Sequence, residues 1–325
     1  MAGRNLYNAS AIDRRLFADI ASASTVFQLG SIHSVYTNVF NVLGADRKRL
    51  ISIVNKRIPA SPDTIVLEEN IDMLNLCIEP GLPVFYHPYE HRIQVHGDPG
   101  FSLNRVNLLD SMNLKQSRGV QSGLKPICSN LVEFISTEGK EGGFKRVIEK
   151  QLGLCDSPSS FYEKALHSAL CCFKRALQSK DAGRIILALK GFIGLGPGLT
   201  PSGDDFVTGF VSALYTLKHP LYEMIKGHFE ELIEFSRKRT TTVSYFMLKH
   251  ALEGRVNETV ASLYEATHSQ TASGYQSIER PLRRIAEIGS SSGTDLLAGI
   301  AYAFFITIEE DQNGSQSDYK EKLLL

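Results

Sequence analysis

The 325-residue chain has no tryptophan, and its five cysteines (Cys77, Cys128, Cys155, Cys171 and Cys172) form no Cys-x-x-Cys pair. An odd count without such pairs argues against a disulfide framework and fits a reducing compartment. A surplus of charge is missing as well, since 35 basic and 35 acidic residues cancel. A general nucleic-acid binder needs a basic excess to displace counterions, so that class is set aside. No apolar run reaches the roughly 18–20 residues of a membrane span. The N-terminal stretch MAGRNLYNASAIDRR lacks the apolar core of a secretory signal. The expectation is a cytoplasmic protein with neither nucleic-acid nor membrane partners. Its 43% hydrophobic content supplies a sizeable core, enough for one large domain or two ordinary ones.

What is present changes period along the chain. Residues 24–96 read mostly as strands: IHSVYTNVF (32–40), RLISIVNK (49–56), TIVLE (64–68) and PVFYHPYEHRIQVH (83–96) are β-branched or aromatic with partial alternation. Turn signals at LGAD (43–46), IPASPD (58–63) and EPGLP (79–83) separate them. Short strands at this spacing predict a small barrel or a curled antiparallel sheet. The stretch 97–125 has no clear period. From about 126 the pattern is helical. SSFYEKALHSALCCFKRALQSK (159–180) places Phe161, Ala165, Leu166, Ala169, Leu170 and Phe173 on one stripe, with Cys171 and Cys172 read as core. Further helices are expected near 184–193, 203–217, 221–237, 241–253, 256–267 and 294–308. Strands first and helices after predict an α+β fold, with a β-rich N-terminal domain (1–125) and a helical domain (126–325).

One stretch carries unusual chemistry. GLGPGLTPSGDDF (194–206) packs four glycines, two prolines and two adjacent aspartates into thirteen residues. Gly198 and Gly203 have P-loop spacing, but a P-loop continues Lys-Ser/Thr, and here Asp204 and Asp205 follow. Two acids would repel a bare nucleotide phosphate. The plainer reading is a helix start: Thr200 or Ser202 as cap, Pro201 in the first turn, and Asp205 three after Ser202 as in a capping box.

The motif then recurs. SGDDFVTGFVSA (202–213) and SGTDLLAGIAYA (292–303) share Ser202/Ser292, Gly203/Gly293, Asp205/Asp295, Gly209/Gly299 and Ala213/Ala303. Glycine inside a helix costs about 0.8–1 kcal/mol relative to alanine, so a repeated Gly-x-x-x-Ala face predicts close backbone approach of the two helices. Their N-termini would then share one pocket, with dipoles and free N–H groups for an anion. The carboxylates would orient a substrate N–H or hold a cation. Mg²⁺ on Asp204 and Asp205 would reconcile them with phosphate, since it bridges both kinds of oxygen. Between the copies, SRKRTTTVSYFMLKHALEGR (236–255) offers Arg239 to an acid or phosphate and Thr240, Thr242 and Ser244 as hydroxyl donors. Elsewhere, His87, Glu90, His91 and His96 lie close together, but their spacing matches no standard zinc site. No histidine sits near a G-x-S-x-G, so a serine-hydrolase triad has no support.

GLGPGLTPSGDDFVTGF, the later IGSSSGTDLLAGI and the intervening RTTTVS…LEG resemble the AllH-like family over about 190–305, in the same order of motifs. Its named member is a subunit of oxamate carbamoyltransferase, in anaerobic allantoin breakdown. The resemblance implies a part in moving a carbamoyl group between carbamoyl phosphate and oxamate, giving oxalurate and phosphate, together with other subunits. Asp205, Asp295, Ser202 and Ser292 are then the candidate catalytic residues. Gly196, Gly198, Thr200, Gly203, Asp204, Arg239, Thr240, Thr242 and Gly293 are the candidate binding residues, with Arg239 or a metal as counter-charge to Asp204. The alternative is a non-catalytic scaffold or small-anion sensor within the same assembly.

Overall fold

The structure is a computed structural model and describes residues 6–117, 121–156, 160–268 and 276–313. The chain divides into two compact units, Met1–Asn113 and Leu114–Leu325. The first contains β1 (Leu6–Asp13), α1 (Arg14–Ala21), β2 (Phe27–Val35), β3 (Val39–Gly44), β4 (Leu50–Val54), β5 (Thr64–Leu67), β6 (Pro83–His87), β7 (Arg92–Val95), β8 (Gly100–Ser102) and β9 (Asn107–Leu109). Strands β1-β5-β4-β3-β2-β6-β7-β8 pair in that order and β8 returns to β1, closing an eight-stranded barrel. β8 pairs with Leu6–Asn8 of β1, and β9 continues along Ala11–Asp13 of the same strand. Alternation fills the inside. Phe40 faces Ile53 and Val42 faces Ile51 across β3–β4, and all four lie in the barrel core with Leu16 and Ile20 of α1. Between them, outward-facing Asn41 pairs with Ser52, whose Oγ donates to Asn41 Oδ1 at 2.8 Å.

The expected α+β order is what the chain adopts, with the barrel first and helices after. Two local expectations fail. The run 32–40 is not one strand: β2 ends at Val35, and Tyr36 N–H donates to Val39 O at 2.8 Å in a turn. Apolar residues on both sides of Thr37-Asn38 concealed that turn. β1 and α1 went unread because β1 presents small Ala9 and Ala11 where an apolar alternation would be recognised.

The second unit holds α2 (Gln121–Glu138), α3 (Phe144–Gln151), α4 (Phe161–Gln178), α5 (Ala182–Lys190), α6 (Ser202–Thr216), α7 (Pro220–Lys226), α8 (Phe229–Arg239), α9 (Thr242–Leu252), α10 (Glu258–His268), α11 (Gln276–Ala286) and α12 (Ser292–Asn313). The helix expected at 221–237 is two, because Gly227 ends α7. Every residue of α6 except Tyr215 is buried. A helix apolar on all sides belongs in the middle of a bundle, and α6 lies there against α12. A Cβ added to Gly209 would sit 2.1 Å from Leu296 O, and one on Gly299 2.0 Å from Phe206 O. The two glycines therefore let the helices touch backbone to backbone. Beneath their first turns, Phe206 stacks on Phe144 at 4.4 Å and lies 4.9 Å from Phe192.

Candidate functional site

The first turns of α6 and α12 meet. Thr200 Oγ1, just before α6, lies 2.5 Å from Ser292 Oγ at the start of α12. Behind both starts the Ser-Gly pair is built in the same way. A Cβ on Gly203 would strike Phe192 O at 2.0 Å, and one on Gly293 would strike Ile285 O at 1.8 Å. Gly203 N–H donates to Leu195 O, and Gly293 N–H to Ile288 O. The loop before α6 is thus a three-residue expansion of the one before α12. Two of its glycines are required by shape. Gly194 (φ 79°) and Gly196 (φ 121°) are left-handed, and their added Cβ atoms would meet Arg239 O at 2.4 Å and Ser202 N at 2.6 Å.

The aspartates divide by role. Asp204 is buried, and its Oδ1 accepts from Gly194 N–H at 2.8 Å. Its Oδ2 accepts from the Thr240 hydroxyl and from Ser244 Oγ, the latter at 2.7 Å. Asp204 thus ties the glycine loop to the start of α9. Burial holds its carboxyl above the ordinary range, against the pull of those three donors. The capping box expected at Ser202–Asp205 does not form. Pro201 is the N-cap of α6, with no side-chain cap, and the Asp204 and Asp205 N–H groups both donate to Pro201 O.

Asp205 and Asp295 face each other across the helix pair, with their serines crossed. The hydroxyls of Ser292 and Thr200 reach Asp205, while those of Ser202 and Ser291 reach Asp295. Burial first, then the neighbouring Asp295 charge, hold Asp205 well above the ordinary carboxylate range. Burial pushes Asp295 up to about 6, against the Phe144 N–H, which donates to its Oδ1 at 2.7 Å. α3 has no side-chain cap of its own beyond Gly143, so Asp295 serves as its cap from another helix. A Cβ on Gly143 would lie 2.1 Å from Asp295 Oδ1, so only glycine admits the carboxylate there. Both carboxyls are thus held above the ordinary range by burial, Asp205 additionally by the Asp295 charge beside it. The Oδ2 atoms of both are buried without a hydrogen-bond partner.

The remaining candidates fall as follows. The N–H groups of Gly196, Gly198, Leu199, Thr200 and Ser202 have no acceptor among the described residues, whereas that of Gly203 is taken by Leu195 O. Gly198 and Leu199 are exposed and Thr200 is half-buried. Arg239 does not reach Asp204; its guanidinium lies over the Phe235 ring at 6.0 Å. Thr242 opens α9 without a hydrogen bond to the loop, and its neighbour Thr241 donates to Leu199 O instead. As a Mg²⁺ pair Asp204 and Asp205 fit poorly, because Asp204 already accepts three hydrogen bonds on the α9 side. Among the described residues no three His, Cys, Asp or Glu side chains gather to hold a metal, the 87–96 histidines included. One residue the sequence did not single out is Lys140. Its N–H donates to Thr294 Oγ1 at 2.9 Å and its Nζ to Gly289 O at 2.8 Å, beside the start of α12. Only the fold brings it there, from the end of α2.

A helical unit centred on two crossed Ser-Gly-x-Asp helix starts, following a closed barrel, defines a class of two-unit proteins with a doubled buried-acid motif. The chain belongs to the AllH family: the model described as oxamate carbamoyltransferase subunit AllH matches residues 192–304, and the AllH family N-terminal domain matches residues 8–108. The first match spans both motif copies and the second nearly the whole barrel. No solved structure matches the chain. Among the described residues no helix is long and apolar enough to cross a membrane.

Proposed function

We propose that this chain carries the anion-binding part of a carbamoyltransferase active site. Carbamoyl phosphate and oxamate, both small anions, meet at the paired starts of α6 and α12, and the carbamoyl group passes to the oxamate nitrogen. The observation that carries this reading is the row of N–H groups at Gly196, Gly198, Leu199, Thr200 and Ser202 with no acceptor among the described residues. Donors at a helix N-terminus bind phosphate or carboxylate. Held in place before the reaction, they also stabilise charge developing on a carbonyl oxygen. Lys140, beside Gly289, is the nearby cation in place of Arg239.

In the transfer a C–N bond forms to the carbamoyl carbon, its bond to the phosphate oxygen breaks, and the proton given up by the attacking nitrogen passes to the departing phosphate. Asp205 is buried, away from the open side of the loop. It holds the Ser292 and Thr200 hydroxyls, and Thr200 is the one half-open to the loop. Asp205 and Asp295 are therefore positioning residues, and Thr200 with the loop N–H groups makes the substrate contacts.

The second reading, a non-catalytic scaffold or anion-sensing subunit, draws on the burial of Asp205 and Asp295 and on the commitment of one Asp295 oxygen to α3. Two measurements separate them. Amide NMR shifts during titration with inorganic phosphate are expected at 196–202 in either case, and shifts confined to other regions overturn both. Thr200→Val in the assembled enzyme is expected to slow carbamoyl transfer about tenfold, the weight of one hydrogen bond of roughly 1–1.5 kcal/mol. Unchanged transfer with the phosphate shifts retained leaves the sensor reading.

A further inference from the structure

α4 and α5 are consecutive helices joined through Ser179–Asp181, and between them runs a groove of about 600 Å³. Its floor on α4 is Ala165, Ser168, Ala169, Cys172 and Ala176; Ala176 belongs to the core and Ala169 packs against it, whereas Cys172 opens to the surface. Leu187 and Ala188 of α5 form the other wall, and Leu187 is 70% exposed. Cys172, expected in the core, is exposed here. From Ala165 to Ala176 the floor runs about 16 Å, three helical turns.

The rim formed by this helix pair is basic: Arg184 lines the groove, and exposed Lys164, Arg175 and Lys180 lie on the same hairpin, none of the four with an acidic partner among the described residues. The two acids of this helix pair are already committed. Glu163 closes a capping box with Ser160, and Asp181 caps α5 by accepting from Arg184 N–H. Lys190, by contrast, is paired with Glu231 at 2.5 Å. Four cations without an acidic partner on one helix hairpin, Arg175 donating only to Cys171 O and Cys172 Sγ, stand out in a chain whose total charge is zero.

We infer that the α4–α5 groove docks an amphipathic helix of another subunit of the assembly, with small or apolar residues on its buried face and acidic residues on its flanks. A small-molecule pocket of this volume would bring several polar groups to a point, whereas this lining is mostly alanine and leucine, with Ser168 and Arg184 as its polar side chains apart from the Cys172 thiol. A second copy of the chain is disfavoured by charge, because a twofold contact places the same basic rim on both sides. The alanines let a partner helix approach closely. The docked helix would also touch Leu195, the last residue of the groove, whose carbonyl accepts the Gly203 N–H at the start of α6. This inference does not depend on the anion site.

Cys172 is a built-in reporter. The chain alone, and the chain assembled with the other carbamoyltransferase subunits, are alkylated with N-ethylmaleimide, with glutathione in the same tube as reference, and Cys172 is quantified by mass spectrometry. Cys172 is expected to react at least tenfold more slowly in the assembly. The exposed-rim double variant Lys164→Glu/Arg184→Glu, with unchanged circular dichroism, is expected to restore its rate and weaken assembly tenfold or more. Three results overturn the proposal: equal reactivity in the assembly, protection of the isolated chain that grows with its own concentration, or protection that survives the charge reversal. Phosphate shifts at 196–202 are read separately, so this proposal and the active-site reading fail independently.

Discussion

Replacing Asp295 with asparagine should flatten the pH dependence of stability by an amount that the site's geometry sets. Asp295 is fully buried and its proton affinity is raised from the ordinary 3.8 to about 6. Between those values the folded chain holds a proton that the unfolded chain has released, so stability falls as pH rises through that window. The contribution is complete below about pH 4 and gone above about pH 6–7. At 1.36 kcal/mol for each tenfold step in proton affinity, the total is about 3 kcal/mol. Asparagine has no such proton, yet still offers an oxygen to Phe144 N–H, and Asn and Asp rank alike as caps. The wild type should therefore lose about 3 kcal/mol relative to Asp295→Asn between pH 4 and pH 7. With a urea slope of about 2–3 kcal/mol/M, the midpoint difference moves by about 1 M. Urea titrations followed by helical circular dichroism at several pH values measure it, since Asp295 lies in the helical unit. Curves that stay parallel within about 0.5 kcal/mol, or a wild type that gains stability from pH 4 to 6, would refute the assignment of Asp295 as a buried acid.

Four further outcomes follow from the same packing and hydrogen bonds. Gly209→Leu should destabilise by overpacking, on the order of 1–3 kcal/mol or more, because even a methyl group would strike Leu296 O; an unchanged melting temperature would mean that α6 and α12 stand further apart. Asp205→Asn should stabilise the chain increasingly as pH rises above about 4, because burial raises the proton affinity of Asp205 in the folded state and asparagine has no proton to lose; a difference from wild type that stays constant between pH 4 and pH 7 would mean that the proton affinity of Asp205 is not raised. Lys140→Met should weaken inorganic phosphate binding several-fold at low salt and less at 0.5 M salt, where screening is short-ranged; a salt-independent effect would exclude a Coulombic role. Gly143→Ala should separate α3 from Asp295 and lower the melting temperature, whereas a neutral result would place the carboxylate elsewhere.

Much of the fold was legible because local period and burial agree. The helix starts at 202 and 292 follow from Ser-Gly-x-Asp, and the α6–α12 contact follows from glycines that a helix would otherwise avoid. The barrel's closure was less visible. It depends on β1, whose small residues hide the alternation, and on long-range pairing of β1 with β5 and β8. Within the site, the sequence identified the aspartates but not their partners. Asp204 was left seeking a cation, when two hydroxyls and one N–H satisfy it. That solution requires α9 to lie against the loop, which no spacing encodes. Lys140, Gly143 and Phe144 reach the site from α2 and α3, far away in sequence, and nothing in the motif announces them. The Cys172 face looked like core because alanine stripes do not reveal which side of a helix meets water.

Both copies of the helix-start motif are carried on one polypeptide, and this has a consequence for how the site could change over time. Had the same pair formed between two identical chains, every mutation would have appeared in both copies at once. Joined in tandem, each copy accepts changes alone. The differences are on view: Asp204 in one copy stands where Thr294 stands in the other, and the preceding loop is three residues longer on one side. Asp204 anchors a long glycine loop, while Thr294 accepts the N–H of Lys140. Two copies on one chain can thus hold different neighbours, the long glycine loop on one side and the α2–α3 loop on the other, a divergence closed to a symmetric dimer.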